Sequence, residues 1–185
     1  MTQFTLHSIE SAPEESKALL ADSLKTIGMI PNLHAVMAEA PGLLDGYKYM
    51  TSLVQKSSFN AEEVTVLWQT INVEHGCHYC VPAHTAIAHM MKVDTQLIDA
   101  LRNAEPLKNP KLQALHEMIL AIVRQRGQVK QEQVDSFFSA GYQKQQLLEI
   151  VLGVSHKIMS NYVNHMAETP LDEAFLPFAW EKPAQ

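Results

Sequence analysis

An all-α domain is predicted by three features of the sequence. Apolar residues recur at helical spacing along most of the 185-residue chain. No segment alternates apolar and polar residues as a half-buried strand does. Asn, Asp and Pro stand where the apolar stretches begin, and Gly where several of them stop. Together these predict one domain, residues 1–185, of about eight or nine helices, with no low-complexity tract and no Gly/Ser linker.

Ser11 and Glu14 make a capping box, with Pro13 suited to a first turn. The helix they open should turn Leu19, Leu20, Leu24 and Ile27 inward and stop at Gly28. Asn32 is expected to cap a short helix through Leu33, Val36 and Met37, ending before Pro41. A third runs from Pro41 to about Gln55 and buries Leu43, Leu44, Tyr47, Met50, Leu53 and Val54. Asn60 caps the fourth, with Glu62 and Glu63 in its first turn, where the helix dipole favours acids. Val64, Leu67, Trp68 and Ile71 form its apolar face, and it ends near Gly76. A fifth spans about Cys80 to Met91, and Asp94 caps a sixth carrying Leu97, Ile98 and Leu101. Asn109-Pro110 opens a helix through Leu112, Leu115, Met118, Ile119 and Ile122 to Gly127. A short helix covers about Gln131 to Ala140. The last runs from about Lys144 to Met166 with Leu147, Leu148, Ile150, Val151, Val154, Ile158 and Tyr162. The tail, 168–185, holds Leu171, Phe175, Leu176, Phe178 and Trp180. It is too apolar to stand free in water and should pack on its own domain or a neighbouring subunit.

Composition narrows the function classes. The formal charge is −6 and no Lys/Arg block occurs, so a nucleic-acid footprint is absent. The first residues lack the basic and apolar regions of a leader, and no run of eighteen apolar residues spans a membrane. A cytoplasmic protein is the resulting expectation. Charged residues make up only 18% of the chain, which hints at surface buried against other subunits.

The chemistry concentrates in Glu74-His75-Gly76-Cys77-His78-Tyr79-Cys80-Val81-Pro82-Ala83-His84, which holds both cysteines of the chain. On a helix, Cys80 and His84 are i and i+4 and share a face. Pro82 is tolerated only in a first turn, so the helix should begin near Tyr79 or Cys80. That start places Cys80 at the positive end of the helix dipole, which favours a thiolate. His84 supplies a base for the Cys80 proton, and a charged His78 would stabilise the anion. Zinc competes for the same residues: Cys77, Cys80 and His84 offer three ligands and His75, His78 or His89 a fourth. Covalent haem is excluded because Val81 stands where C-x-x-C-H needs a histidine. Two thiols merely packed in a helical core are the plainest alternative.

The motif Gly76-Cys77-His78-Tyr79-Cys80 with His84 resembles the G-C-x-Y-C-x-x-x-H of the AhpD-like alkylhydroperoxidase branch of the carboxymuconolactone decarboxylase superfamily. Ala140-Gly141-Tyr142, Leu148-Glu149 and Asn161-Tyr162 are similar to the closing helices of such proteins. The resemblance implies an all-helical AhpD-like domain assembled into trimers or hexamers. It implies thiol-dependent reduction of hydroperoxides without a bound cofactor or metal, or electron transfer from a dithiol donor to a peroxiredoxin. Carried over, Cys80 is the attacking thiol, Cys77 resolves it and His84 belongs to a proton relay. The relay glutamate of the resembled proteins falls on Thr65, so the acid must come from elsewhere. Glu63 should face away from the Thr65 side, since two helical residues rotate a side chain by about 200°. Glu74, beside the motif, is the substitute. The decarboxylases that name the superfamily lack a C-x-x-C. Keeping both cysteines argues against that reaction here; a decarboxylase-like enzyme using His84 and Glu74 with idle cysteines is a weaker alternative, beside a zinc-stabilised helical interaction protein. His34, His116, His156 and His165 lie on or near apolar faces and read as hydrogen-bonded structural histidines.

Overall fold

A computed structural model describes residues 4–183; the N-terminal three residues and the last two of the tail lie outside the described region. Among the described residues there are nine α-helices, one 3-10 helix and no strand. They are α1 (Glu14–Ile27), α2 (Asn32–Met37), α3 (Pro41–Gln55), α4 (Ala61–Glu74), α5 (Cys80–Met90), α6 (Thr95–Arg102), α7 (Pro110–Gln125), α8 (Gln131–Ser139) and α9 (Lys144–Ala167). The 3-10 helix spans Glu173–Phe178 in the tail. No described helix is long and apolar enough to cross a membrane.

Central to the architecture is α4, buried along almost its whole length and packed on α5, α6, α7 and α9. Its start is the predicted one. The Asn60 side chain accepts from the Glu63 amide, and the Glu63 carboxylate accepts from the Asn60 amide, both at 3.0 Å. The larger core gathers Leu67, Ile71, Leu115, Met118, Ile119, Phe137 and Ile150. A second joins α1, α2 and α3 to Cys77, Tyr79 and Cys80. Where α9 crosses α4, Gly153 lies against Leu67: a Cβ built there would stand 2.6 Å from a Leu67 methyl.

Four details of the predicted elements differ in the structure. Pro13, not Ser11, precedes α1, and no side chain caps that helix. Leu24 and Ile27 are exposed rather than buried. The register of α1 is set by polar groups instead: Ser16 donates to the Ala38 carbonyl and Ser23 bonds the His34 ring. Asn32 does not cap α2 with its side chain. Its backbone N–H donates to the carboxylate of Asp172, from the distant tail, at 3.0 Å. On α9, Leu148, Val151 and Tyr162 face outward.

The tail straps back over α5. Arg102 donates to the carbonyls of Phe178 and Ala179, and the Trp180 indole donates to the Arg102 carbonyl. The 3-10 helix packs directly on α5.

Candidate active site

Both cysteines are free thiols and buried, Cys77 at 0% and Cys80 at 2% exposure. Cys80 is the first residue of α5, as Pro82 requires, and its backbone N–H donates to Cys77 Sγ at 3.3 Å. A ladder of buried amides holds this helix start. Asn161 on α9 donates to Asn72, which donates to Gln69 and to the Cys80 carbonyl. Gln69 in turn donates to the Val81 carbonyl and to Thr85. Asn72, Gln69 and Asn161 are each wholly buried, so every broken rung strands a desolvated amide.

The side chains that meet the thiols come from α9. Asn164 Nδ2 donates to Cys80 Sγ at 3.2 Å. Lys157, with no exposed surface, donates from Nζ to His84 Nε2 at 2.7 Å. His84 shares α5 with Cys80, as its spacing predicts, but its lone-pair nitrogen is taken by Lys157. The ring proton therefore lies on Nδ1, buried and without a partner. Trp68 lies beside His84 with ring centres 4.7 Å apart, and Tyr47 stacks on His156 at 4.7 Å.

The electrostatics separate the two thiols. Burial by itself raises the Cys80 thiol, but the Cys77 hydrogen bond, the Lys157 charge, and Ser160 and Asn161 outweigh it and bring it down to about 5. Cys77 moves the other way, pushed well above the ordinary thiol range by its bond to Cys80 and by burial. Burial, then the Lys157 and His156 charges, hold His84 well below the usual imidazole range, so it is neutral near pH 7. Lys157 is lowered by burial, against which the two thiols act to keep it charged.

Of the residues singled out in the sequence, Cys77, Cys80 and His84 are brought to one buried site. Glu74 is not bonded to them. Its carboxylate makes a bidentate pair with Arg124 of α7, both contacts at 2.8 Å, and Lys182 donates to its carbonyl. Thr65 is buried with its hydroxyl bonded to the Ala61 carbonyl. Glu63 pairs with Lys111 at 3.0 Å. His78 is exposed and donates to the Thr169 carbonyl, so the proposed stabilising contact with a thiolate is not formed. His34, His116 and His156 bond Ser23, Thr70 and Thr51, as structural histidines do. Among the described residues no three of His, Cys, Asp and Glu gather as metal ligands. Lys157 and Asn164 were missed, and Asn161 was noted without a role, although all three continue the inward stripe of Leu147, Ile150 and Val154 at three- and four-residue steps.

Comparison with solved structures assigns the architecture. A peroxidase-related protein from Ralstonia eutropha, described as an alkylhydroperoxidase AhpD core, superposes with a TM-score of 0.81 at 14% identity, over 94% of this chain and 93% of that one. The fold is the AhpD-like fold. An uncharacterized peroxidase-related protein from Silicibacter sp. matches at a TM-score of 0.77 and 18% identity, over 95% of this chain and 97% of that one. The debrominase Bmp8, as an alanine variant in complex with 2,3,4-tribromopyrrole, matches at 0.76 and 16% identity, over 94% of each chain. No protein-family model and no curated protein matches the sequence. The AhpD-like fold thus carries more than one chemistry, and the reaction has to be argued from the side chains.

Proposed function

We propose that this AhpD-like chain is a dithiol oxidoreductase that reduces hydroperoxides through Cys80 and Cys77. The observation that carries the reading is the pairing of a buried Cys80, held by Asn164 Nδ2 and the Lys157 charge, with a second free thiol whose sulfur accepts the Cys80 amide. A thiolate is the nucleophile toward a peroxide oxygen, and a neighbouring protonated thiol is what resolves the sulfenic acid. The Cys80 sulfur attacks the terminal oxygen, the O–O bond breaks, and the alcohol leaves with one proton. Cys77 then attacks the Cys80 sulfur; the S–S bond forms, S–O breaks and water departs with the Cys77 proton. A dithiol donor returns two electrons and two protons by exchange, and the oxidised donor leaves. A peroxiredoxin disulfide is an alternative acceptor in place of the peroxide.

In this reading His84 is neutral and serves proton transfer with Lys157, while Glu74 anchors α4 to α7 and stands outside the relay. Both thiols being buried, substrate entry requires movement of a covering segment. The exposed stripe of Leu148, Val151, Tyr162 and Met166 on α9 supports self-association into a homo-oligomer. Reductive dehalogenation is a second reading, favoured by the rings of Trp68, Tyr47, His84 and His156 beside the thiols, a wall suited to a flat halogenated ring.

The test is a thiol count on reduced protein before and after one equivalent of cumene hydroperoxide. Both thiols should disappear together, and Cys80→Ser should prevent it. Loss of both thiols with tribromopyrrole and not with peroxide favours the second reading. Persistence of both with either oxidant overturns the dithiol assignment.

A further inference from the structure

Lys157 is a buried ammonium with nothing ordinary to neutralise it. Its side chain has no exposed surface. Among the described residues no carboxylate forms an ion pair with it. Every neighbouring element can be checked for an anion. On α4, Glu63 is held by Lys111 and Glu74 by Arg124. On α2, His34 bonds Ser23, and on α7, His116 bonds Thr70. On α3, Tyr47 is a phenol raised by burial, and Lys48 pairs with Asp22. On α9 itself the neighbour is the neutral His156. What remains is α5 and the turn before it, with Cys80, Cys77 and His84. Asp172, the buried carboxylate of the tail, is engaged by the Tyr79 hydroxyl and the Asn32 amide. A charged lysine in the interior is very costly unless an anion faces it, and among the described residues the groups whose negative charge acts on Lys157 are the two thiols.

His84 receives the Lys157 hydrogen bond at Nε2, and its own proton on Nδ1 has no acceptor among the described residues. The ring is therefore a two-ended bridge, with one end on the ammonium and the other free to donate.

We propose that Lys157 is the proton store of the thiol couple: it holds the proton that Cys80 gives up and releases it through His84 as the disulfide forms. The role rests on the dithiol reading above and adds a residue that the motif does not contain. In the reduced state Cys80 is a thiolate and Lys157 an ammonium. When the thiolate breaks the peroxide O–O bond, the departing alkoxide takes the Nδ1 proton of His84. The Lys157 proton moves to His84 Nε2, and Lys157 becomes a neutral amine. Cys77 then supplies its thiol proton to the departing hydroxide as the S–S bond closes. No anion remains, and no cation remains either. Two electrons pass from the sulfurs to the peroxide, and the alcohol and water carry the Lys157 and Cys77 protons beside the one the peroxide brought. When a dithiol donor reduces the disulfide, Lys157 takes a proton back. A carboxylate in the same place would repel the thiolate, whereas the Lys157 charge favours it.

The experiment has two arms. In the first, thiolate absorbance of the reduced protein is followed against pH in the parent and in Lys157→Met, which keeps the side-chain length. The expected thiolate fraction at about pH 6 falls by about twofold to a hundredfold in the variant, as removal of a facing unit charge moves a pKa by about 1–3 units. In the second, proton uptake is counted in weakly buffered solution as cumene hydroperoxide oxidises the parent. Lys157 supplying the proton predicts no net uptake; an ammonium that stays charged takes up one proton per disulfide. Lys157→Arg, which cannot release a proton, is expected to keep the thiolate yet take up one proton per disulfide. An unchanged thiolate titration in folded Lys157→Met, or one proton per disulfide in the parent, overturns the proposal. If the Met variant does not fold, the proton count on the parent decides alone. If no disulfide forms in the parent, the dithiol reading itself fails, and the thiolate titration still decides whether Lys157 and Cys80 share a proton.

Discussion

Asn164→Leu isolates one contact at the sulfur. Leucine has the branched skeleton of asparagine with bulkier methyl ends, so the 3.2 Å donation to Cys80 Sγ is removed with the side-chain shape kept. A hydrogen bond to a charged acceptor is worth about 1.5–3 kcal/mol. At about 1.4 kcal/mol per pKa unit, the Cys80 thiol should rise by about 1–2 units. Starting from about 5, it would then titrate between about 6 and 7. The thiolate fraction at about pH 6 should fall from about nine-tenths to between a half and a tenth. Overpacking this wholly buried site should cost about 1–3 kcal/mol of stability. Asn164 Oδ1 is buried without a partner, so losing that carbonyl offsets much of the lost bond. The assay is thiolate absorbance against pH on reduced protein, with Cys80→Ser as the blank and urea unfolding as the check on the fold. An unmoved titration midpoint in a folded variant would refute the role given to Asn164.

Three further outcomes follow from the same geometry. His34 and His156 are held neutral by burial, at about 4 and about 2. Both values lie below the unfolded one, so the unfolded chain binds more protons below about pH 6.5 and stability falls as the pH drops. Each ring should remove about 2 kcal/mol by about pH 5, read from urea midpoints, and His34→Gln should flatten that slope. Asp172→Asn weakens the clamp in which Asp172 accepts from the Tyr79 hydroxyl and the Asn32 amide. It should cost about 1–3 kcal/mol and speed alkylation of the native thiols; an unchanged alkylation rate would show that the tail does not control access. Gly153→Ala drives a methyl into Leu67, itself wholly buried, and should destabilise by about 1–3 kcal/mol despite the better helix former.

Helix order and boundaries were legible because local rules set them. Asn60, Asp94 and Asn109 accept from amides in the first turn of α4, α6 and α7, as the sequence suggests. The start of α2 was not, because its cap is Asp172, 140 residues away. No local pattern announces a partner at that separation. The inward face of α1 was misread for a related reason. Its orientation follows buried serines bonded to Ala38 and His34, and a count of leucines carries no such information.

The site divides along the same line. Cys77, Cys80 and His84 lie within eight residues, so spacing alone gathers them. Their chemistry is set by α9, about 75–85 residues further on, and there the legible signal was a lysine and two asparagines on an otherwise apolar stripe. A buried amide on such a stripe must find a partner, and a buried lysine must find an anion. Here the partners are Asn72, Cys80 and His84. Glu74 illustrates the converse. Nearness to the motif suggested a relay acid, but Glu74 ends α4, and the α4–α7 packing sets it against Arg124. The charge of the partner determines what His84 can do. Beside a carboxylate, an imidazole donates to the acid and keeps its other nitrogen as a base for the thiol. Beside an ammonium it accepts instead, and its remaining nitrogen carries a proton outward. An ammonium on Nε2 thus suits His84 to donate from Nδ1 rather than to take the Cys80 proton.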